Sequence, residues 1–244
     1  MTAGPFAGRA IFVTAGATRT GAAIAQYCAR QGAQIYLNYF SNHTGASALE
    51  AEFGIQQIKL LQGDVTDAAS VSQMFQTIQE QGTGLDGVIN IVGDYHEEPV
   101  MQTSLEDYHH VLKNNLDPVF LLAKAAHPLL TEAHYPRFVT FAYAKGDQVT
   151  SAKAWAYHIA KMGVISLTKT LAKEWGPEQI STHVISPGTL FNSIVCESDN
   201  PKDYIPQERF GEYRDLWPIL DLIFRDDSTY LTGNNFVVSG GYNV

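Results

Sequence analysis

Tyr157-His158-Ile159-Ala160-Lys161 sets a phenol and a primary amine four residues apart. On a helix that spacing puts both on one face, one turn apart. A tyrosine ordinarily gives up its proton near pH 10. A neighbouring ammonium favours the phenolate and is expected to lower that value, which suits general acid–base work. His158, the next residue, is expected to point away from Tyr157. Alone, such a pair is common on helix surfaces, so its meaning depends on its setting. A second segment, Thr14 to Gly21, reads Thr-Ala-Gly-Ala-Thr-Arg-Thr-Gly directly after an apolar run. Small residues there let the main chain approach a pyrophosphate, and the start of the following helix favours its negative charge. With only two glycines, this segment also reads as a plain strand-to-helix turn. The eight histidines suggest no metal site. His109 and His110 are adjacent and cannot converge on one ion, and no HExxH is present.

Elements that could position these groups recur along the chain. Ala10–Val13, Ile35–Leu37, Gln57–Leu61, Val88–Val92, Phe138–Phe141, His183–Ile185 and Phe236–Val238 are short, mostly continuous apolar runs. Strands covered on both faces read this way, which predicts a parallel sheet. Between them lie helical patterns at Gly21–Gln31, Ala68–Gln81 with Asp67 as cap, Leu105–Leu130 and Ala154–Trp175. Gly176-Pro177 stops the last of these. Strand and helix in alternation predict one doubly wound, Rossmann-like α/β domain over residues 1–244, with a seven-stranded, mostly parallel sheet and helices on both faces.

Composition narrows the classes. The chain has 244 residues, 45% hydrophobic, and a net charge of −9. It is long enough to bury a core without staples. The acidity argues against nucleic acid and anionic membranes, and no apolar run is long enough to span a bilayer. Residues 1–9 carry no secretory pattern. Cys28 sits in a helical pattern and Cys196 in a polar stretch, with no CxxC; a reducing cytoplasm fits. Glu197–Asp215 is rich in charge and interspersed with aromatics. With its flanks, residues 190–217, it reads as a substrate lid or a solvated loop.

Together these pieces resemble the short-chain dehydrogenase/reductase family along nearly the whole chain. The family's glycine-rich turn corresponds to Thr14–Gly21, and its adenine-contacting Asp-Val to Asp64-Val65. Its Asn-Asn-Ala-Gly strand end corresponds to Asn90-Ile91-Val92-Gly93, and its catalytic asparagine to Asn115. Its Tyr-x-x-x-Lys corresponds to Tyr157 and Lys161, its Pro-Gly turn to Pro187-Gly188, and its ending to Thr232-Gly233 and Gly240-Gly241. The resemblance implies hydride transfer from a nicotinamide cofactor to a carbonyl, with Tyr157 giving the proton. Lys161 would bind the nicotinamide ribose, and Asn115 would hold a water that links Lys161 to solvent. Thr14, Gly16, Thr18, Thr20, Gly21, Asn38, Ser41, Asp64, Val65, Asn90, Gly93, Pro187 and Gly188 would line the cofactor. Thr189 or Asn192 would meet its carboxamide.

Two departures stand out. Ala15 and Arg19 occupy the family's first two glycines, and an Arg at the second resembles the pteridine reductase branch. The family's serine is missing as well. Matching the strand puts Tyr143 there, whereas counting back about thirteen residues from Tyr157 puts Ala144 there. A lost donor of that kind can cost roughly 3 kcal/mol of transition-state stabilisation, and Tyr143 could supply a phenol in its place or merely line the pocket. No acid ends the second strand, and Arg19 adds a cation, which favours NADP(H) over NAD(H).

The expectation is therefore an NADP(H)-dependent oxidoreductase of the 3-oxoacyl-thioester reductase kind. The alternatives are a pteridine or other small-ketone reductase and a catalytically weak NADP(H)-binding sensor or scaffold. Its partners would be a small carbonyl or acyl-thioester substrate and further copies of itself, as a dimer or tetramer. An acidic carrier protein would need a local basic patch, for which Lys145, Lys153, Lys202, Arg209 and Arg214 are the candidates.

Overall fold

The computed structural model describes residues 4–146, 148, 151–193 and 198–242. Cys196 and Glu197 lie outside them, so the expectations placed on those two residues have no structural counterpart. The chain runs β1 (Ala10–Val13), α1 (Arg19–Arg30), β2 (Gln34–Tyr39), α2 (His43–Phe53), β3 (Ile58–Gln62), α3 (Ala68–Gln81) and β4 (Gly87–Asn90). It continues with α4 (Leu105–Asn115), α5 (Asp117–Leu130), β5 (Arg137–Phe141), α6 (Trp155–Glu174), β6 (Ser181–Pro187), α7 (Trp217–Phe224) and β7 (Asn234–Val238). All seven strands are parallel, in the order β3-β2-β1-β4-β5-β6-β7. The chain leaves β1 in one direction and returns to its other side with β4. A crevice therefore opens outside the carboxyl ends of these two strands.

Two apolar layers cover the sheet. Ile24 and Cys28 of α1, Leu49 of α2 and Leu220, Ile223 and Phe224 of α7 pack on one face. Phe75 and Ile78 of α3, Leu122 and Leu130 of α5, and Val164 and Leu171 of α6 pack on the other. Asp67 caps α3 as expected, its carboxylate accepting from the Ser70 amide. The pattern at Leu105–Leu130 is not one helix. It breaks at Leu116, because Pro118 has no amide to donate and its ring crowds the preceding turn. The break leaves Asn115 at the end of α4, at the edge of the crevice.

Arg137, wholly buried in β5, ties α7 down by donating to the carbonyls of Ile223 and Arg225 beyond the sheet edge. His183 on the adjoining strand is equally buried. Burial, with help from the Arg137 charge, pushes its imidazole down to about 4. The folded protein thus holds His183 neutral, while the unfolded chain takes up a proton near pH 6.5. Stability should fall as pH drops from about 6.5 to about 4, by roughly 3 kcal/mol for this residue. Urea unfolding at several pH values is expected to show that loss, and His183→Leu to flatten it by comparison with the parent protein.

Candidate active site

The first turn is built on the end of β1. The Thr14 amide donates to the Ile89 carbonyl, and its hydroxyl donates to Asn90 Oδ1 at 2.9 Å while accepting from the Ile91 amide at 2.8 Å. This clamp fixes the two strand ends that frame the crevice. At Gly21 a side chain would sit 2.2 Å from the Ala15 carbonyl oxygen, so only glycine lets α1 start against the turn. Ala15 and Arg19 keep the left-handed backbone (φ 50° and 46°) that glycine would adopt without strain. The turn has therefore retained its shape without two of its glycines. Arg19 is exposed and makes no ion pair among the described residues, so its guanidinium is available to an anion.

Ala15, Ala17, Thr18, Asn38, Ser41, Asp64 and Val65 line a pocket of ≈ 480 Å³. Several of its donors are already engaged. The Asn38 amide donates to the Leu61 and Gly63 carbonyls, which makes it a brace between β2 and β3. Asn42 caps α2 and bonds the Ala17 carbonyl, while the His43 ring faces the Tyr39 and Ser47 hydroxyls. Asp64 accepts from the amide and hydroxyl of Thr66. Ser41 also lines this pocket, while Arg19 lines the neighbouring cavity.

A second cavity of ≈ 660 Å³ is lined by Arg19, Thr20, Tyr95, Glu97, Ala142, Tyr143, Ser151, Tyr157, His158, Pro187, Gly188, Thr189, Leu190, Asn192, Ser193 and Tyr242. It brings together residues that lie far apart in the sequence. Lys161 is 3% exposed and donates to the Phe141 carbonyl at 3.1 Å, with Nζ 5.6 Å from the centre of the Tyr157 ring. Asn115 donates to the Asp94 and Val111 carbonyls, while its buried Oδ1 has no partner among the described residues. Between them lies Gly93, where a side chain would come within 2.7 Å of both Asn115 Oδ1 and Lys161 Nζ. The missing side chain and the unpaired oxygen leave room for polar atoms beside the ammonium. The site fits a dinucleotide whose ribose hydroxyls, or an attendant water, complete these bonds.

The structure corrects two expectations. Burial raises the Tyr157 phenol above its usual value, with a smaller push from Tyr143. Burial also lowers the Lys161 ammonium, to about 8. Tyr157 is thus a held proton in the resting protein. His158, expected to point away from Tyr157, faces the same cavity as Tyr157. It is buried, lines the cavity, and stacks on Tyr143 with centroids 5.5 Å apart and planes 15° apart. The buried positions His158, Lys161, Ile165, Thr168 and Ala172 form one sheet-facing stripe of α6 at spacings of three and four. That stripe was the available signal for His158.

The two residues at the place of the family serine differ in setting. Ala144 is buried, and its amide donates to the Pro187 carbonyl. It is Tyr143 that lines the cavity, 5.4 Å from the Tyr157 ring. Tyr95, whose hydroxyl donates to Glu97 at 2.6 Å, meets Tyr157 edge-on. The sequence reading missed Tyr95, Glu97 and Tyr242. Tyr95 follows Gly93 by two residues and Tyr242 follows the closing glycines, so position after a strand end was the only cue. Asn192, one of the two groups expected to meet a carboxamide, donates instead to the Tyr213 hydroxyl.

The family model described as Enoyl-(Acyl carrier protein) reductase matches residues 16–243. The chain belongs to the short-chain dehydrogenase/reductase family. Among its relatives, a 3-oxoacyl-(acyl-carrier-protein) reductase of Synechocystis sp. is 29% identical over 94% of this chain and 94% of that protein. A D-threitol dehydrogenase of Mycolicibacterium smegmatis is 29% identical over 97% and 94%. A dehydrogenase/reductase from Sinorhizobium meliloti superposes with TM-score 0.88 at 26% identity, covering 98% of this chain and 96% of that one. A metagenomic blue fluorescent protein solved with NADPH gives TM-score 0.90 at 24% identity, covering 98% and 100%. This enzyme is therefore an oxidoreductase of that family.

The left-handed non-glycine residues give a direct check on the turn. Ala15→Gly should stabilise the enzyme by about 1 kcal/mol by relieving backbone strain, read as a rise in the chemical-denaturation midpoint. A fall would show that the turn carries no strain at this position.

Proposed function

We propose that this enzyme is an NADP(H)-dependent carbonyl reductase that acts on a small substrate with a flat or short body. The observation that carries the reading is the buried Lys161 ammonium beside Tyr157, with the unpaired Asn115 oxygen and the Gly93 gap next to it. When bound, NADPH supplies the hydride. Thr14, Gly16, Thr18, Thr20, Gly21, Asp64, Val65, Asn90, Gly93, Pro187, Gly188 and Thr189 form its bed, and Lys161 meets the ribose. Arg19 pairs with the extra phosphate, a role its forked donors suit. The absence of an acid at the end of β2 and the NADPH-bound structural neighbour support the same choice.

Tyr157 would donate its proton to the substrate's carbonyl oxygen, the counterpart of the hydride the cofactor would supply. The raised phenol stays protonated until then, and the Lys161 ammonium stabilises the phenolate that forms. Asn115 holds a water through Oδ1 for proton resupply. The Tyr143 hydroxyl takes the place of the family serine, as a second donor to the carbonyl oxygen.

Tyrosine rings at 95, 143, 157 and 242 wall the substrate side, which favours a flat ring such as a pteridine. The second reading, a 3-oxoacyl thioester, draws on the relatives. Docking of an acidic carrier protein finds little support. Lys202 pairs with Glu208, Arg209 with Asp215 and Arg214 with Glu212, and Lys145 lies over the Tyr242 ring. Leu190 bridges Gly211 and Phe191 meets Tyr213 edge-on, contacts suited to a lid. Exposed Phe120, Ile159 and Met162 on α5 and α6 suit self-association.

NADPH oxidation should be followed with biopterin, simple diketones and acetoacetyl thioesters. Turnover of at least one is expected. Tyr157→Phe should abolish it, and Tyr143→Phe should lower kcat by roughly 100-fold, with Tyr143→Ser recovering part of the loss. NADPH binding without turnover of any substrate would instead favour a sensor or scaffold.

A further inference from the structure

We infer that His158 is a positioning residue, whose flat ring fixes Tyr143 so that the Tyr143 hydroxyl faces the carbonyl beside Tyr157. The inference rests on the reading of Tyr143 as the second donor, and adds the element that makes a tyrosine workable there. A serine hydroxyl is one bond from its Cβ and is set by the backbone. A tyrosine hydroxyl lies at the far end of a ring with two free torsions, so a small tilt carries it away from the reacting oxygen. Side-chain torsions have broad wells for aromatic rings, and a misplacement of about 1 Å can cost two orders of magnitude in rate. Something must therefore hold the ring.

Among the described residues, the His158 ring is a flat surface lying against Tyr143. His158 is 3% exposed and sits on the same sheet-facing stripe of α6 as Lys161, one residue after the proton donor. Its ring lies nearly parallel to that of Tyr143, at 15° and 5.5 Å, while Tyr143 is tilted 49° to Tyr157 at 5.4 Å. One rigid helix thus carries the acid, the cation and the backing plate, and the loop residue Tyr143 is pressed against two of them. Burial lowers the His158 imidazole, and its place in the first turn of α6 disfavours a positive charge further. A neutral imidazole can take the offset arrangement that aromatic pairs prefer.

The test is a double-mutant cycle on the full-length enzyme with the best substrate from the panel above. His158→Leu fills similar space without a flat face, and His158→Phe keeps the face without the nitrogens. His158→Leu should lower kcat roughly tenfold with KM changed less than about twofold, and His158→Phe should keep kcat within about threefold. In a Tyr143→Phe background, where the hydroxyl is already gone, His158→Leu should cost less than about twofold. NADPH binding by fluorescence should be unchanged throughout, which reports that each variant is folded. Equal losses in both backgrounds, or a His158→Phe enzyme as slow as His158→Leu, would overturn the inference. A Tyr143→Phe enzyme at full rate would instead remove the underlying reading of Tyr143, and the two failures are distinct.

Discussion

A lysine ammonium taken out of water must be given partners or lose its charge. Lys161 lies in that position, and much of the surrounding architecture answers to it. The carbonyl of Phe141 reaches it from the end of β5. Asn115 stands where α4 stops, and Pro118 makes it stop there. Gly93, just past β4, leaves open the space between that asparagine and the ammonium. Three separate segments thus converge on one side chain from α6. A lysine held near a pKa of about 8 is still mostly charged at neutral pH, so the phenolate of Tyr157 would form beside a cation.

The places where local rules are broken cluster at this same site. Ala15 and Arg19 hold glycine geometry with side chains, and Arg19 thereby carries a guanidinium to the mouth of the crevice. Tyr143, where strand matching places the family's serine, stacks on the His158 ring. Such departures are expected where binding or chemistry competes with stability. The polar insertion shows the opposite habit. Its bases are matched by acids a few residues away, so it presents little net positive charge to a partner.

Much of the fold was legible because periodicity survives burial. Continuous apolar runs gave the parallel strands, and Ala68–Gln81 with its Asp67 cap is the helix as read. The family motifs located Tyr157, Lys161 and Asn115. Other features were set by tertiary contact. Pro118 was visible in the sequence, yet the apolar pattern continues across it and hid the break. The shift of Tyr157 depends on how deeply the cavity buries it, which spacing does not encode. Asn38 reads as a free donor until β3 supplies the Leu61 and Gly63 carbonyls. Tyr95, Glu97 and Tyr242 come from loops, whose paths no periodicity reveals.

The central claim is that NADPH binds in this crevice and uses the space that Gly93 keeps open beside Lys161 and Asn115. Fluorescence titration of NADPH into the parent enzyme and Gly93→Ala tests it most directly. The account predicts saturable binding to the parent and affinity at least about tenfold weaker for Gly93→Ala, with an unchanged circular dichroism spectrum. Equal affinity in the two proteins, or no binding to the parent, would contradict it.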